Sequence, residues 1–128
     1  MQDALLIAAL AARAHAHAPY SRFAVGAALE DDSGHTHTGC NIENVSYGLT
    51  ICAERVAVFK AVSEGARRFR RIAVAAASKN LAPPCGPCRQ ILWEFCGDIE
   101  ILLTNTAGAV ESHRLKDLFP RPFDASAL

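Results

Sequence analysis

Two short stretches of this 128-residue chain hold side chains able to do chemistry: Cys52-Ala53-Glu54-Arg55 and Pro84-Cys85-Gly86-Pro87-Cys88-Arg89-Gln90. Together they offer three thiols and one carboxylate, and they read as a catalytic zinc site. Structural zinc sites close a tetrahedron with four protein ligands, whereas catalytic ones keep a position open for water. Three cysteines beside a non-ligating glutamate fit the second pattern. Cys85 and Cys88 are three residues apart, so at the start of a helix both sulfurs face one ion. Cys52 and Glu54 are two apart, which on a regular helix would point them away from each other. Cys52 is therefore expected at a helix cap, outside helical geometry. Helix N-termini favour anions, so both segments would stabilise the thiolates that zinc binds.

The elements that must position these residues can be read in chain order. Asp3 caps a helix through Ala4–Arg13, whose apolar residues nearly encircle the axis and imply burial on more than one side. His15 and His17 near its end read as partners of the helix dipole, and Pro19 stops it. Phe23 to Leu29 is a strand, Asp31-Asp32-Ser33-Gly34 a turn, and Thr36 to Asn41 the returning strand. His35 and His37 share one face of that strand and are expected to face solvent. Cys52 to Glu64 forms the first metal helix, ended by Gly65. Ile72 to Ala77, apolar without alternation, is a central strand buried on both faces. The second metal helix runs from the Cys85 motif to Cys96, with Gly97 ending it. Ile99 to Thr104 is a second apolar strand, and Ala109 to Leu115 an edge strand. Cys40 and Cys96 read as buried thiols. The alternation implies a three-layer α/β/α sandwich around a mixed five-stranded sheet, in one domain spanning residues 1–128. The two metal helices lie side by side on one face.

Composition narrows the partners. Thirteen basic and thirteen acidic residues leave no net charge, poor equipment for a polynucleotide backbone. Arg67-Arg68-Phe69-Arg70-Arg71 is the only basic cluster, and its shortness makes it a solvated connection. A small substrate of little charge fits better. No apolar run reaches membrane-spanning length, and Met1-Gln2-Asp3 lacks the basic start of a signal peptide. Five cysteines, an odd number, suggest a reducing compartment, the cytoplasm by default.

A ligand-x-Glu followed by Pro-Cys-x-x-Cys is the signature of zinc deaminases, where zinc activates a water and the glutamate shuttles protons. Here Cys52 stands in place of the histidine. With Pro19-Tyr20-Ser21-Arg22-Phe23-Ala24-Val25-Gly26-Ala27-Ala28-Leu29 and Gly39-Cys40-Asn41-Ile42-Glu43-Asn44 upstream, the chain resembles the small homotetrameric cytidine deaminases from about Pro19 onward. That resemblance implies one zinc per chain on Cys52, Cys85 and Cys88, with Glu54 as the proton shuttle. The substrate would be cytidine, with deoxycytidine beside it, and a modified cytosine nucleoside such as blasticidin is the alternative. It further implies that Phe23 packs on the pyrimidine, that Asn41 and Glu43 bind the ribose 3′-hydroxyl, and that the Ala53 backbone meets the base edge. Arg55 would hydrogen-bond ligand sulfurs, offsetting the net negative charge of three thiolates on one zinc; Arg89 is a second cation at hand. Tyr47 would lie near a neighbouring subunit's site. Leu118-Phe119-Pro120-Arg121-Pro122-Phe123 is similar to the family's terminal Leu-Leu-Pro-x-x-Phe, which brings Phe123 across a subunit boundary. Phe119 and Arg121-Pro122 depart from that pattern.

Two readings from other classes compete. A structural zinc module would need a fourth ligand, and no other Cys or His sits at motif spacing. A thioredoxin-like redox protein would use Cys85-Gly86-Pro87-Cys88 but has no use for Cys52-Ala53-Glu54.

Overall fold

The computed structural model describes residues 3–128; the reading made at Met1 and Gln2 lies outside them. Helix α1 spans Ala4–Ala12, one residue shorter than expected, and the chain tightens into a 3₁₀ turn over Arg13–His15. The Asp3 carboxylate starts α1 by accepting the Leu5 N–H at 2.9 Å. Strands β1 (Val25–Asp31) and β2 (Thr36–Cys40) follow as a hairpin. Then come α2 (Ala53–Ser63), β3 (Phe69–Ala76), α3 (Gly86–Cys96), β4 (Glu100–Asn105), β5 (Val110–Arg114) and a short α4 (Leu115–Leu118). The sheet runs β2-β1-β3-β4-β5; β3 and β4 are parallel and joined through α3, and the other neighbours are antiparallel. Among the described residues no helix is long and apolar enough to cross a membrane.

Side chains alternate across the pleat, and this splits the core in two. Ala28, Ala73, Ala75 and Leu102 face α1, packing against Leu5, Leu6 and Ala9. Ala27, Leu29, Ile72, Val74, Ile101 and Leu103 face α2 and α3. The result is the expected three-layer α/β/α sandwich, with both metal helices on one face. Two glycines set the spacing of the layers. A Cβ at Gly26 would come within 2.1 Å of the Ala9 carbonyl of α1. One at Gly39 would meet the Ala53 carbonyl and the Ala57 amide of α2, each at 2.5 Å. Both helices therefore lie directly on sheet backbone.

Several local expectations change. α1 is buried through Leu5, Leu6, Ala9 and Ala12, while Ile7 is half exposed, so in the single chain only one side is covered. His17 lies beyond the helix: its N–H donates to the Asn41 carbonyl and its carbonyl accepts from Glu43. Of the strand histidines only His35 faces solvent. His37 is largely covered, with Nε2 3.0 Å from Asp31 and Nδ1 3.6 Å from Glu64, because the buried Asp31 carboxylate at the turn needs partners. Cys40 and Cys96 are half buried rather than enclosed. The arginine cluster is solvated as expected, with Arg67, Arg68 and Arg70 exposed, but it is tied down at several points. Arg67 donates to the Val62 and Ala66 carbonyls behind α2, and Arg71 pairs with Asp3 and Glu30.

Candidate active site

The N-termini of α2 and α3 meet over the sheet. Cys52 and Cys85 are the two caps, both extended (ψ 155° and 171°), and neither thiol caps its own helix. Cys52 thus turns out of helical geometry, and its sulfur and the Glu54 carboxyl two residues on can serve one centre. Cys88 lies within the first turn of α3 and is buried. The three sulfurs lie within 4.8 Å of one another, Cys52 and Cys85 3.8 Å apart and Cys85 and Cys88 3.4 Å. A tetrahedral zinc with Zn–S of about 2.3 Å holds its sulfurs roughly 3.8 Å apart. Among the described residues this is the only group of three or more metal-binding side chains, and its soft donors and spacing fit zinc.

The charges around the triad are set by named neighbours. Arg55 donates from Nη2 to the Cys52 sulfur at 3.3 Å, while its buried Nε has no partner among the described residues. The neighbouring Cys88 thiol, helped by Arg55, lowers the Cys52 pKa to about 5 against the cost of its burial. The Cys88 thiol is itself pushed up, by Cys52 beside it and by burial. Glu54 is buried, and loss of hydration raises its carboxyl to about 7, with the Cys52 charge adding to the effect. Arg89, by contrast, makes no hydrogen bond to the sulfurs among the described residues. Its guanidinium donates to the Pro84 carbonyl at 2.7 Å and the Leu118 carbonyl at 2.6 Å, bracing the second motif against α4.

Beside the sulfurs opens a cavity of about 250 Å³. Phe23, Asn41, Glu43, Ala53, Glu54 and Cys85 all line it, so the structure brings these sequence-predicted residues together. Phe23 sits before β1 rather than in it, since Asn41 takes over the backbone there: Oδ1 accepts from Val25 N at 2.9 Å and Nδ2 donates to Phe23 O at 2.7 Å. Tyr47 and Phe123 are not on this wall. Tyr47, largely exposed, lines an adjoining cavity of about 380 Å³ and stacks at a tilt on Tyr20, ring centres 5.7 Å apart. Phe123 is 60% exposed, and the tail carrying it is fastened to α3 by Gln90 Nε2 on the Phe123 carbonyl (2.8 Å) and Trp93 Nε1 on Asp124 (3.2 Å). Sequence reasoning missed Ser21 and Thr50, which line both cavities. Ser21 falls inside the Pro19–Leu29 stretch already singled out, but nothing in its local pattern marks it.

Residues 1–103 match the model of the cytidine and deoxycytidylate deaminase zinc-binding region. A cytidine deaminase from Sporosarcina psychrophila is 48% identical over 118 residues, covering 91% of this chain and 87% of that protein. One from Halalkalibacterium halodurans is 49% identical over 122 residues, or 94% and 92% of the two chains. The crystal structure of cytidine deaminase from Burkholderia pseudomallei superposes with a TM-score of 0.92 at 46% identity, covering 96% of this chain and all of that one.

Proposed function

The chain belongs to the cytidine and deoxycytidylate deaminase family, and from that premise we propose that it hydrolyses cytidine, and deoxycytidine alongside it, to the uracil nucleoside and ammonia. One observation carries the reading. A buried carboxyl, Glu54, lines one small cavity with Cys52 and Cys85, whose sulfurs converge with that of Cys88 behind them. Cys52, Cys85 and Cys88 would hold the zinc, which when bound supplies Lewis-acid activation of a water. Arg55 keeps negative charge on Cys52 by donating to its sulfur. Glu54 accepts one proton of the attacking water and hands it to ring N3, then takes the second from the new C4 hydroxyl and delivers it to the departing C4 amine. Water enters, ammonia leaves, and Glu54 ends as it began. A carboxyl raised to about 7 suits that exchange, being neither strongly acidic nor unable to ionise near neutrality.

The other assignments follow the cavity. Phe23 would pack on the pyrimidine, the Ala53 backbone would meet the base edge, and Asn41 and Glu43 would bind one sugar hydroxyl. Tyr47 and Phe123, exposed here, would serve a neighbouring subunit, in keeping with a homotetramer whose sites are completed across boundaries. The half-exposed Ile7 on α1 and the edge-on Phe59–Phe95 pair on α2 and α3 are further apolar surface available to such contacts. The whole chain would act as one catalytic domain, working in the cytoplasm.

The deciding experiment is Glu54→Gln, with bound zinc and ammonia release measured on the same purified sample. Size and helix propensity are kept and the sulfurs are untouched, so zinc should remain at one per chain. Turnover should fall by at least about 10²–10⁴-fold, the usual worth of general acid–base catalysis. Near-normal turnover at full zinc would remove Glu54 from the mechanism.

A further inference from the structure

The Glu43 carboxylate is held in place from beneath by the loop that precedes β1. Its Oε1 accepts two backbone N–H groups, from Tyr20 at 2.9 Å and Ser21 at 3.1 Å. Its Oε2 accepts the Ser21 hydroxyl. The Ser21 oxygen in turn accepts the Phe23 N–H at 3.0 Å. Arg22, between them, has φ +57°, the only left-handed non-glycine residue among those described, and its N–H closes onto the Ala18 carbonyl at 2.9 Å. A left-handed arginine is a sparsely populated conformation, and such strain persists where surrounding bonds over-determine the backbone. Here the bonds to Glu43 supply that constraint.

Counting acceptors shows what the loop leaves free. A carboxylate has about four lone-pair directions. Three are used by the loop, which leaves one on Oε2 able to face the cavity. The hydroxyl of Ser21 has a single proton, and it is spent on Glu43. We propose that Ser21 is a positioning residue: it fixes the rotation of the Glu43 carboxylate so that one remaining acceptor meets one sugar hydroxyl. This rests on the reading of Glu43 as the partner of the 3′-hydroxyl. Removing the Ser21 hydroxyl leaves Glu43 on its two backbone donors, free to swing Oε2.

The test is steady-state kinetics of Ser21→Ala, Ser21→Thr and Glu43→Gln on cytidine and on 3′-deoxycytidine, with zinc content and Tm recorded for each. Ser21→Ala should raise KM for cytidine by roughly 3- to 10-fold, the range of one ordinary hydrogen bond, and leave kcat within about twofold of wild type. On 3′-deoxycytidine, which lacks the hydroxyl that Glu43 would hold, the same variant should differ little from wild type. Ser21→Thr, which keeps the hydroxyl, should restore cytidine KM. Equal losses on both substrates in Ser21→Ala, with Glu43→Gln still erasing the discrimination between them, would overturn the role of Ser21 while sparing Glu43. Discrimination left intact by Glu43→Gln would show that Glu43 is not the hydroxyl's partner and would take the proposal down with it.

Discussion

Gly39→Ala should damage the metal centre from the far side of a helix. Gly39 sits in β2 opposite Ala27 of β1 and beneath the first turn of α2. Its missing Cβ leaves room for the Ala53 carbonyl and the Ala57 amide, each of which would lie 2.5 Å from the added carbon. Ordinary contact begins near 3.4 Å. Both obstacles are backbone, so no side-chain rotation relieves the clash, and α2 must lift by about 1 Å. Ala53 and Ala57 are fully buried, and β2, though the edge strand, is paired to β1 along its whole length, so neither partner yields freely. Overpacking of this kind costs about 1–3 kcal/mol. With backbone on both sides the upper figure applies, or about 10 °C in Tm for a chain of this length. Lifting α2 also moves its cap, Cys52, against Cys85 and Cys88 on α3. Zinc affinity should therefore fall by at least about tenfold, some 1.4 kcal/mol. Thermal denaturation with and without chelator, beside a competitive zinc titration, measures both. Gly48→Ala is the control: the added methyl would have nothing within 4 Å of it and should change stability by less than about 0.5 kcal/mol. Wild-type Tm and zinc affinity in Gly39→Ala would refute the idea that this glycine sets the height of the helix.

Asp3→Asn keeps a good helix cap but removes the charge facing Arg71, so it isolates a partly buried surface ion pair worth about 0.2–1 kcal/mol. The hydrogen bond from Arg71 lowers the Asp3 pKa, so the pair's contribution is present above the ordinary carboxylate value and lost as pH falls through the folded one; the Tm gap to wild type should be constant near neutrality and close in acid. Deleting residues 123–128 should leave zinc in place and raise KM, and sedimentation that finds a fully active monomer would end the trans-site reading of the tail.

The chemistry was legible because short spacings constrain it. Cys52 and Glu54 two residues apart, and Cys85 and Cys88 three apart, leave few backbone geometries that serve one ion, and the caps have the one required. The buried strand was legible for a similar reason, since an unbroken apolar run such as Ile72–Ala76 has to be covered on both faces. Features made by distant partners were not. Ser21 and Glu43 are 22 residues apart in sequence, and nothing local to either marks the bond. His37 looked like a surface residue until Asp31 and Glu64 closed around it. The start of β1 was misplaced because the Asn41 side chain, sixteen residues away, claims the Val25 N–H that a strand neighbour would otherwise take.

The site joins two kinds of construction, and they should fail differently. The sulfurs and Glu54 stand on helix starts that are continuous with the core: Ala53, Cys88 and Leu92 are fully buried, and α2 rests on Gly39. A change there cannot be confined, because the same backbone carries metal ligands and core packing, so stability, zinc and turnover should fall together. The nucleoside wall is made otherwise. Phe23, Asn41 and Glu43 sit on loops outside the regular elements and are tied by side-chain bonds to backbone: Asn41 to residues 23 and 25, Glu43 to residues 20 and 21. Those bonds fix where a sugar and base can lie but hold up little of the sheet. Substitutions of Phe23 and Glu43 should therefore appear in KM while zinc content and Tm stay near wild type, whereas the buried Asn41, bonded to Val25 of β1, should lower Tm as well. That division lets affinity for the sugar vary without disturbing the metal, because the only covalent link between the two constructions on this side is the short run from Glu43 to Cys52.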